Sequence, residues 1–338
     1  MRSDPADGSL VDVAPQPPPP LEPPRDPASD DPTTPRRRAL ALTTYALAFA
    51  LWFLLVGLPT DPVLIFAWLW LATIATHVDA PARSHLRFAR DWWPILAVLL
   101  VYTYSRGIAD NLGTPLHVTE PIRFDTWLFH GHLPTAVLQQ HWCGNPCSFT
   151  MPGRWYDAVL ATVYYSYFVS ALGLAVVLWL RNRTEWVAFM RRYLTINAVA
   201  LVCYVFYPMA PPWWASDYHY LPEDVERITM RGWDTFGLHR ARLALGPAEV
   251  TGNAVAAMPS LHTATTTLLA LYAITRLRTR WRWLTLLYPA AMSLSLVYNG
   301  EHYVLDLLAG YLLAALVMLG ASAWERRARA SRSTTVSG

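Results

Sequence analysis

Two histidines and one aspartate occupy positions from which covalent chemistry is possible. The stretch Tyr298 to Gly310 reads Y-N-G-E-H-Y-V-L-D-L-L-A-G and sets His302 and Asp306 four residues apart at the mouth of an apolar helix. One helical turn brings residues at that spacing to the same face. Forty residues upstream, Met258 to His262 reads M-P-S-L-H directly before another apolar run, so His262 falls in the first turn of a second membrane-length helix. An imidazole held by a carboxylate at one ring nitrogen is oriented and made more nucleophilic at the other, the base-plus-orienter arrangement of covalent catalysis. The remaining imidazole is then available to move a proton. Taken singly, each group also reads as an ordinary helix-packing hydrogen bond within a membrane. Three ionisable groups at one depth favour catalysis.

The elements that must position these groups are membrane helices. In 338 residues, 54% are hydrophobic and only 15% charged, a composition outside the soluble range. The expected fold class is an all-α, polytopic membrane protein. All 27 basic residues are arginine, so no lysine is available to hold a phosphate. The arginines gather at helix ends rather than along a groove-like stripe, which excludes a nucleic-acid signature.

Residues 1–37 form a Pro-rich segment with P-Q-P-P-P-P-L-E-P-P and no apolar periodicity, and are expected to be a disordered cytoplasmic tail. This is no cleavable signal, because a long polar stretch precedes the first apolar run. Residues 38–325 are expected to be the transmembrane catalytic domain and 326–338 a basic cytoplasmic tail. Eight apolar segments are long enough to span: about 39–58, 62–79, 91–109, 156–180, 190–208, 259–275, 284–299 and 302–324. Eighteen arginines fall before the first span, after every even-numbered one and at the chain's end, which by the positive-inside rule makes both termini cytoplasmic. His262 and His302 then both start spans from the extracytoplasmic side.

Two long outer connections, about 110–155 and 209–258, are rich in Trp, Pro and His. Trp92 and Trp93 read as inner-edge belt residues and Trp213 and Trp214 as outer-edge ones. Phe124 to Trp142 reads as an amphipathic surface lid or as an ordinary packed loop helix. Cys143 and Cys147, in C-G-N-P-C, are either a short disulfide or two free thiols; a Gly-Asn-Pro turn can close the gap on an oxidising side. Zinc binding by that pair alone is not expected.

In P-S-L-H, Pro259 suits the first helical position, Ser260 adds a hydroxyl, and the open N–H groups of a helix start welcome a phosphate. A phosphoryl group held there would meet His302 on one side and His262 on the other, the in-line geometry of phosphoryl transfer.

P-S-L-H at 259–262 and G-E-H-Y-V-L-D at 300–306 resemble the second and third signature motifs of the type 2 phosphatidic acid phosphatase superfamily. The resemblance implies a six-helix phosphatase-like core, here the last six of about eight transmembrane helices. It implies that His302 is the nucleophile that becomes phosphohistidine, that Asp306 orients it, that His262 protonates the leaving oxygen, and that Ser260 and Gly300 lie near the phosphate. The family's first motif carries a lysine and an arginine; here Y-P-M-A-P-P-W-W stands at 207–214, and Leu296 replaces the usual arginine six positions before the nucleophile. These departures resemble the inositol phosphorylceramide synthase branch.

The phosphate charge must still be balanced. Arg106, one turn inside the outer end of the third span, is the best placed, either as that cation or as a structural partner of Asp110; an arginine at such a depth is costly unless paired or functional. Arg227, Arg231, Arg240 and Arg242 in the second outer loop are weaker candidates. The expected function is a membrane phosphotransferase or phosphatase acting on a lipid-linked phosphate or phosphodiester at the outer face, needing no cofactor and no metal. The rivals are a metal-dependent hydrolase with His262, His302 and Asp306 as ligands, and a lipid transporter without chemistry. The identity of the lipid, the acceptor and the oligomeric state are left open.

Overall fold

The computed structural model describes residues 33–57, 59, 61–111, 114–237 and 255–336. Among them the architecture is all-helical: α1 (Thr33–Leu55), α2 (Pro62–Thr76), α3 (Ala82–Asn111), α4 (Thr119–Leu128), α5 (Pro134–Trp142), α6 (Trp155–Arg181), α7 (Arg183–Phe206), α8 (Pro212–Asp217), α9 (Arg231–Thr235), α10 (Leu261–Arg276), a 3-10 turn (Arg280–Leu286), α11 (Leu287–Tyr298) and α12 (Val304–Val336). Most of residues 1–37 lie outside the described residues.

Each of the eight apolar segments coincides with a helix. By length and apolarity alone, three described helices suffice to cross a membrane (Pro35–Leu55, Arg183–Phe206 and Val304–Ser331), or four if α6, bent by 44°, is one span. The helices extend past the apolar segments because charged residues are good helix formers. Arg36, Arg37 and Arg38 lie inside α1, and α12 continues through 326–336 as helix where a tail was expected.

Two residues depart from the sequence reading. Arg192, expected in a cytoplasmic connection, lies buried within α7 and forks onto Glu325 of α12, with Nη1 2.8 Å from Oε1 and Nη2 2.9 Å from Oε2. That bidentate pair satisfies the charge and allows α7 to begin about two turns earlier than its apolar run. Trp92, expected in an interfacial belt, is buried in the core and stacks on Phe88, ring centroids 4.9 Å apart; Trp93, on the opposite face, is exposed. Neighbours one apart on a helix diverge by about 100°, so only one of a Trp-Trp pair can face lipid.

The main core joins α2, α3, α6, α7, α10 and α12 through residues such as Phe88, Trp92, Phe189, Ile196, Leu268 and Leu313. Phe124 to Trp142 is not one amphipathic helix. It is α4 and α5, separated by a turn in which His130 (φ 55) and Gly131 (φ 91) take left-handed backbone. Leu133 and Ala136 of this segment pack with Val225 and Tyr303, while Trp127 stays 73% exposed. Cys143 and Cys147 form a disulfide at the start of the connection to α6.

Candidate active site

The site lies where the N-termini of α10 and α12 meet. Ser260 is the N-cap of α10, its hydroxyl accepting from the Thr263 amide at 3.3 Å; helix therefore begins at Leu261, and Pro259 stands one residue outside the cap instead of at the first helical position. The cap is anchored twice, by Tyr204 Oη donating to the Pro259 carbonyl (2.7 Å) and by the Ser260 amide donating to the Asp306 carbonyl (3.0 Å). Gly310 makes the second contact possible. A Cβ there would stand 2.7 Å from the Ser260 carbonyl and 3.1 Å from Thr263 Cβ, so any larger residue would push α12 off the start of α10.

His302 precedes α12 by two residues and does not lie on its first turn. Its i,i+4 relation to Asp306 survives because the Asp306 carboxylate reaches back. Asp306 Oδ2 is 3.2 Å from His302 Nδ1 and accepts the Tyr303 amide at 3.0 Å. Asp306 is fully buried and His302 nearly so. With Nδ1 engaged, Nε2 is the nitrogen that His302 can present to a substrate. The His262 ring lies across from it, centroids 5.9 Å apart at 64°, flanked by Tyr164 (4.8 Å) and Tyr167 (4.4 Å) of α6. The two imidazoles thus meet edge to face, one of them held from behind by a carboxylate.

The turn that presents His302 is held by Gly300 and Arg227, which the sequence reading named in other roles, and by Glu301, Gln139, Thr229 and Asp125, which it missed. Gly300 takes φ +77, and a Cβ on it would stand 2.9 Å from the Glu226 carbonyl. Glu301 is buried and accepts from Arg227 Nε (2.7 Å), Arg227 Nη2 (3.1 Å) and Thr229 Oγ1 (2.6 Å). Gln139 of α5 donates to the carbonyls of Glu226 (2.7 Å) and Tyr298 (2.9 Å) and accepts the Glu226 amide (3.1 Å). Asp125 of α4, fully buried, accepts the amides of Val304 (2.8 Å) and Leu305 (3.1 Å) and so caps α12 from 179 residues away. Burial raises its carboxyl to about 6 against those two hydrogen bonds, with the nearby Asp306 charge adding to the rise. None of these partners carries a sequence signal, because each acts across a loop.

The candidate cations separate. Arg227 pairs with Glu301 beside His302, rests over Trp213 at 5.3 Å and lies within electrostatic reach of His262. Arg231 is committed elsewhere: it is buried, 2.6 Å from Asp157 and 2.7 Å from Tyr298 Oη. Arg106 belongs to α3, and its side chain lies outside the described residues, as do Arg240 and Arg242. Asp306 stands behind His302 and does not converge with both imidazoles on a point, and among the described residues no three His, Cys, Asp or Glu side chains are grouped to hold a metal ion.

An all-helical membrane protein with this site falls in the class of lipid phosphoryl-transfer enzymes. The chain belongs to the PAP2 superfamily, whose family model matches residues 142–320. It is also similar to the phosphoinositol dihydroceramide synthase of Bacteroides thetaiotaomicron, 28% identical over 289 residues that cover 81% of this chain and 88% of that protein. No solved structure matches the chain.

Proposed function

We propose that the protein is an integral-membrane phosphotransferase that moves a phosphorylated head group from a lipid phosphodiester to a lipid alcohol at the outer face of a cell membrane, through a phosphohistidine-type intermediate. The observation that carries this reading is the His302–Asp306 contact at 3.2 Å with the His262 ring 5.9 Å from that of His302. His302 Nε2 attacks phosphorus, the bond from phosphorus to the leaving lipid oxygen breaks, and His262 gives that oxygen its proton. The acceptor hydroxyl then loses its proton to His262 and attacks phosphorus, the P–N bond breaks, and both histidines return to their starting states. Ser260 and Gly300 are candidate phosphate neighbours. Arg106 and Arg227 are the candidate cations for the charge that builds on the phosphoryl oxygens. The similarity to a phosphoinositol dihydroceramide synthase supports phosphoinositol as the head group and a ceramide-type alcohol as the acceptor.

The catalytic domain on this reading is 38–325, with a six-helix core from α3 to α12 and eight membrane passes. Purified protein incubated with phosphatidylinositol and dihydroceramide should yield diacylglycerol and a new inositol-containing sphingolipid in equal amounts. Release of free inositol phosphate without the new lipid would replace the transferase reading with a hydrolase.

A further inference from the structure

We propose a second ligand site at the other end of the bundle: a cavity between α2, α3, α6 and α7 that binds a phosphodiester or phosphate anion. The cavity has a volume of about 610 Å3 and is lined by Thr73, His77, His85, Arg87, Arg90 and Arg183 among its polar groups, within the size range of small-ligand sites. It is remote from the chemistry. His262 packs on Tyr164 of α6, whereas the cavity meets α6 at Trp179; at 1.5 Å per residue, fifteen residues of helix separate the two by roughly 22 Å. It is also built largely from α2 and α3, which lie outside residues 142–320.

The charge in the cavity is unbalanced in one direction. No carboxylate lines it. Asp79, in the turn between His77 and Ala80, pairs with Arg37 at 3.8 Å, and Asp91 pairs with both Arg183 and Arg90, the latter at 3.3 Å, and takes the Trp179 indole N–H at 3.3 Å. Asp91 set against the three lining guanidinium groups leaves an excess of two positive charges, and guanidinium forks match phosphate oxygens in geometry.

The walls are fixed rather than loose. Trp70 of α2 donates to the His85 carbonyl of α3 at 2.9 Å, Arg183 stacks on Trp179 (5.0 Å) and Trp186 (4.7 Å), and Trp179, which lines the cavity, packs edge-on against Phe88 at 5.5 Å. A basic cavity between helices at the arginine-rich end of a membrane protein matches an anionic lipid head group in the opposite leaflet from the catalytic site. A soluble phosphate ester offers the same anion.

The test is native mass spectrometry of the full chain in detergent, supplied separately with phosphatidylglycerol, phosphatidylcholine and inorganic phosphate. The wild type should retain phosphatidylglycerol at least tenfold better than phosphatidylcholine. Arg87→Gln, and Arg87→Gln with Arg90→Gln, should abolish that preference while leaving transfer of a solubilised substrate within twofold of normal. Adding inorganic phosphate in millimolar excess distinguishes the sources: retention of the lipid assigns the site to a lipid, and competitive loss of the lipid assigns it to a soluble phosphate ester. Equal retention of the two lipids by the wild type, or an undiminished preference in both variants, would overturn the proposal.

Discussion

Asp306 does two things with one carboxylate: it holds His302 Nδ1 and it accepts the Tyr303 amide that shapes the turn. An asparagine can keep the second contact but offers His302 no charge, so Asp306→Asn should lower turnover by about a thousandfold or more while the protein stays folded, by analogy with loss of tautomer control in hydrolase triads. His302→Ala should lose at least as much and should no longer form a covalent adduct with labelled donor lipid. His262→Ala should slow a poor alkyl leaving group far more than a good aryl one, as its proposed role in proton donation requires; equal losses on both would reduce His262 to a structural part. Wild-type activity should survive chelators, which separates these roles from metal ligation. For the charge on phosphate, Arg227 and Glu301 must be tested together. Arg227→Ala alone leaves the buried Glu301 carboxylate without its guanidinium beside His302, a cost of about 3–5 kcal/mol. Arg227→Ala with Glu301→Gln removes that cost, so turnover and vanadate inhibition that remain weak in the double variant assign Arg227 to the phosphate, and their recovery transfers that role to Arg106.

At the scale of elements, the start of α12 is shaped by a helix outside the bundle. Asp125 reaches from α4 to cap Val304 and Leu305, and Asp125→Ala should cost about 1–2 kcal/mol as a lost cap and also lower turnover by letting His302 drift. The sign of its pH dependence follows from its carboxyl, raised to about 6 by burial and, less, by Asp306. The folded state then binds more protons than the unfolded chain between the ordinary aspartate value and about 6, so this group's contribution to stability grows as pH falls through that window and is lost as pH rises past about 6. Thermal unfolding of wild type against Asp125→Asn from pH 7 to 4 should show the wild type gaining on the variant; a constant gap would mean that Asp125 does not titrate there. Such a cap explains what a sequence can and cannot carry. The i,i+4 spacing of His302 and Asp306 and the apolar runs are local, and both were legible. The Asp125 cap, the Glu301–Arg227 pair and the Arg192–Glu325 fork join residues 74 to 180 positions apart, and no period or motif announces them. Trp92 was misread for the same reason, because belt and core tryptophans look alike until the partner face is known.

At the scale of the molecule, the site's orientation rests on two independent properties of the chain. Arginines crowd the ends of the apolar helices opposite to His262 and His302, which favours a cytoplasmic position for those ends. The Cys143–Cys147 disulfide lies between α5 and α6, before the N-terminal half of α6 whose Tyr164 packs on His262, and disulfides persist on the oxidising side of a membrane. Both properties support the proposed orientation, with the histidine site outward and the arginine-lined cavity inward. The orientation can be read with single cysteines in a Cys203→Ser background, where the native pair stays bonded to itself. Tyr220, half exposed in the loop after α8, and Arg278, in the connection after α10, mark the two ends. A cysteine at 220 should react with a membrane-impermeant maleimide in intact cells, and one at 278 only after the membrane is opened. The reverse pattern would put the disulfide in a reducing compartment and the arginines outside, and would turn both the histidine site and the second site around.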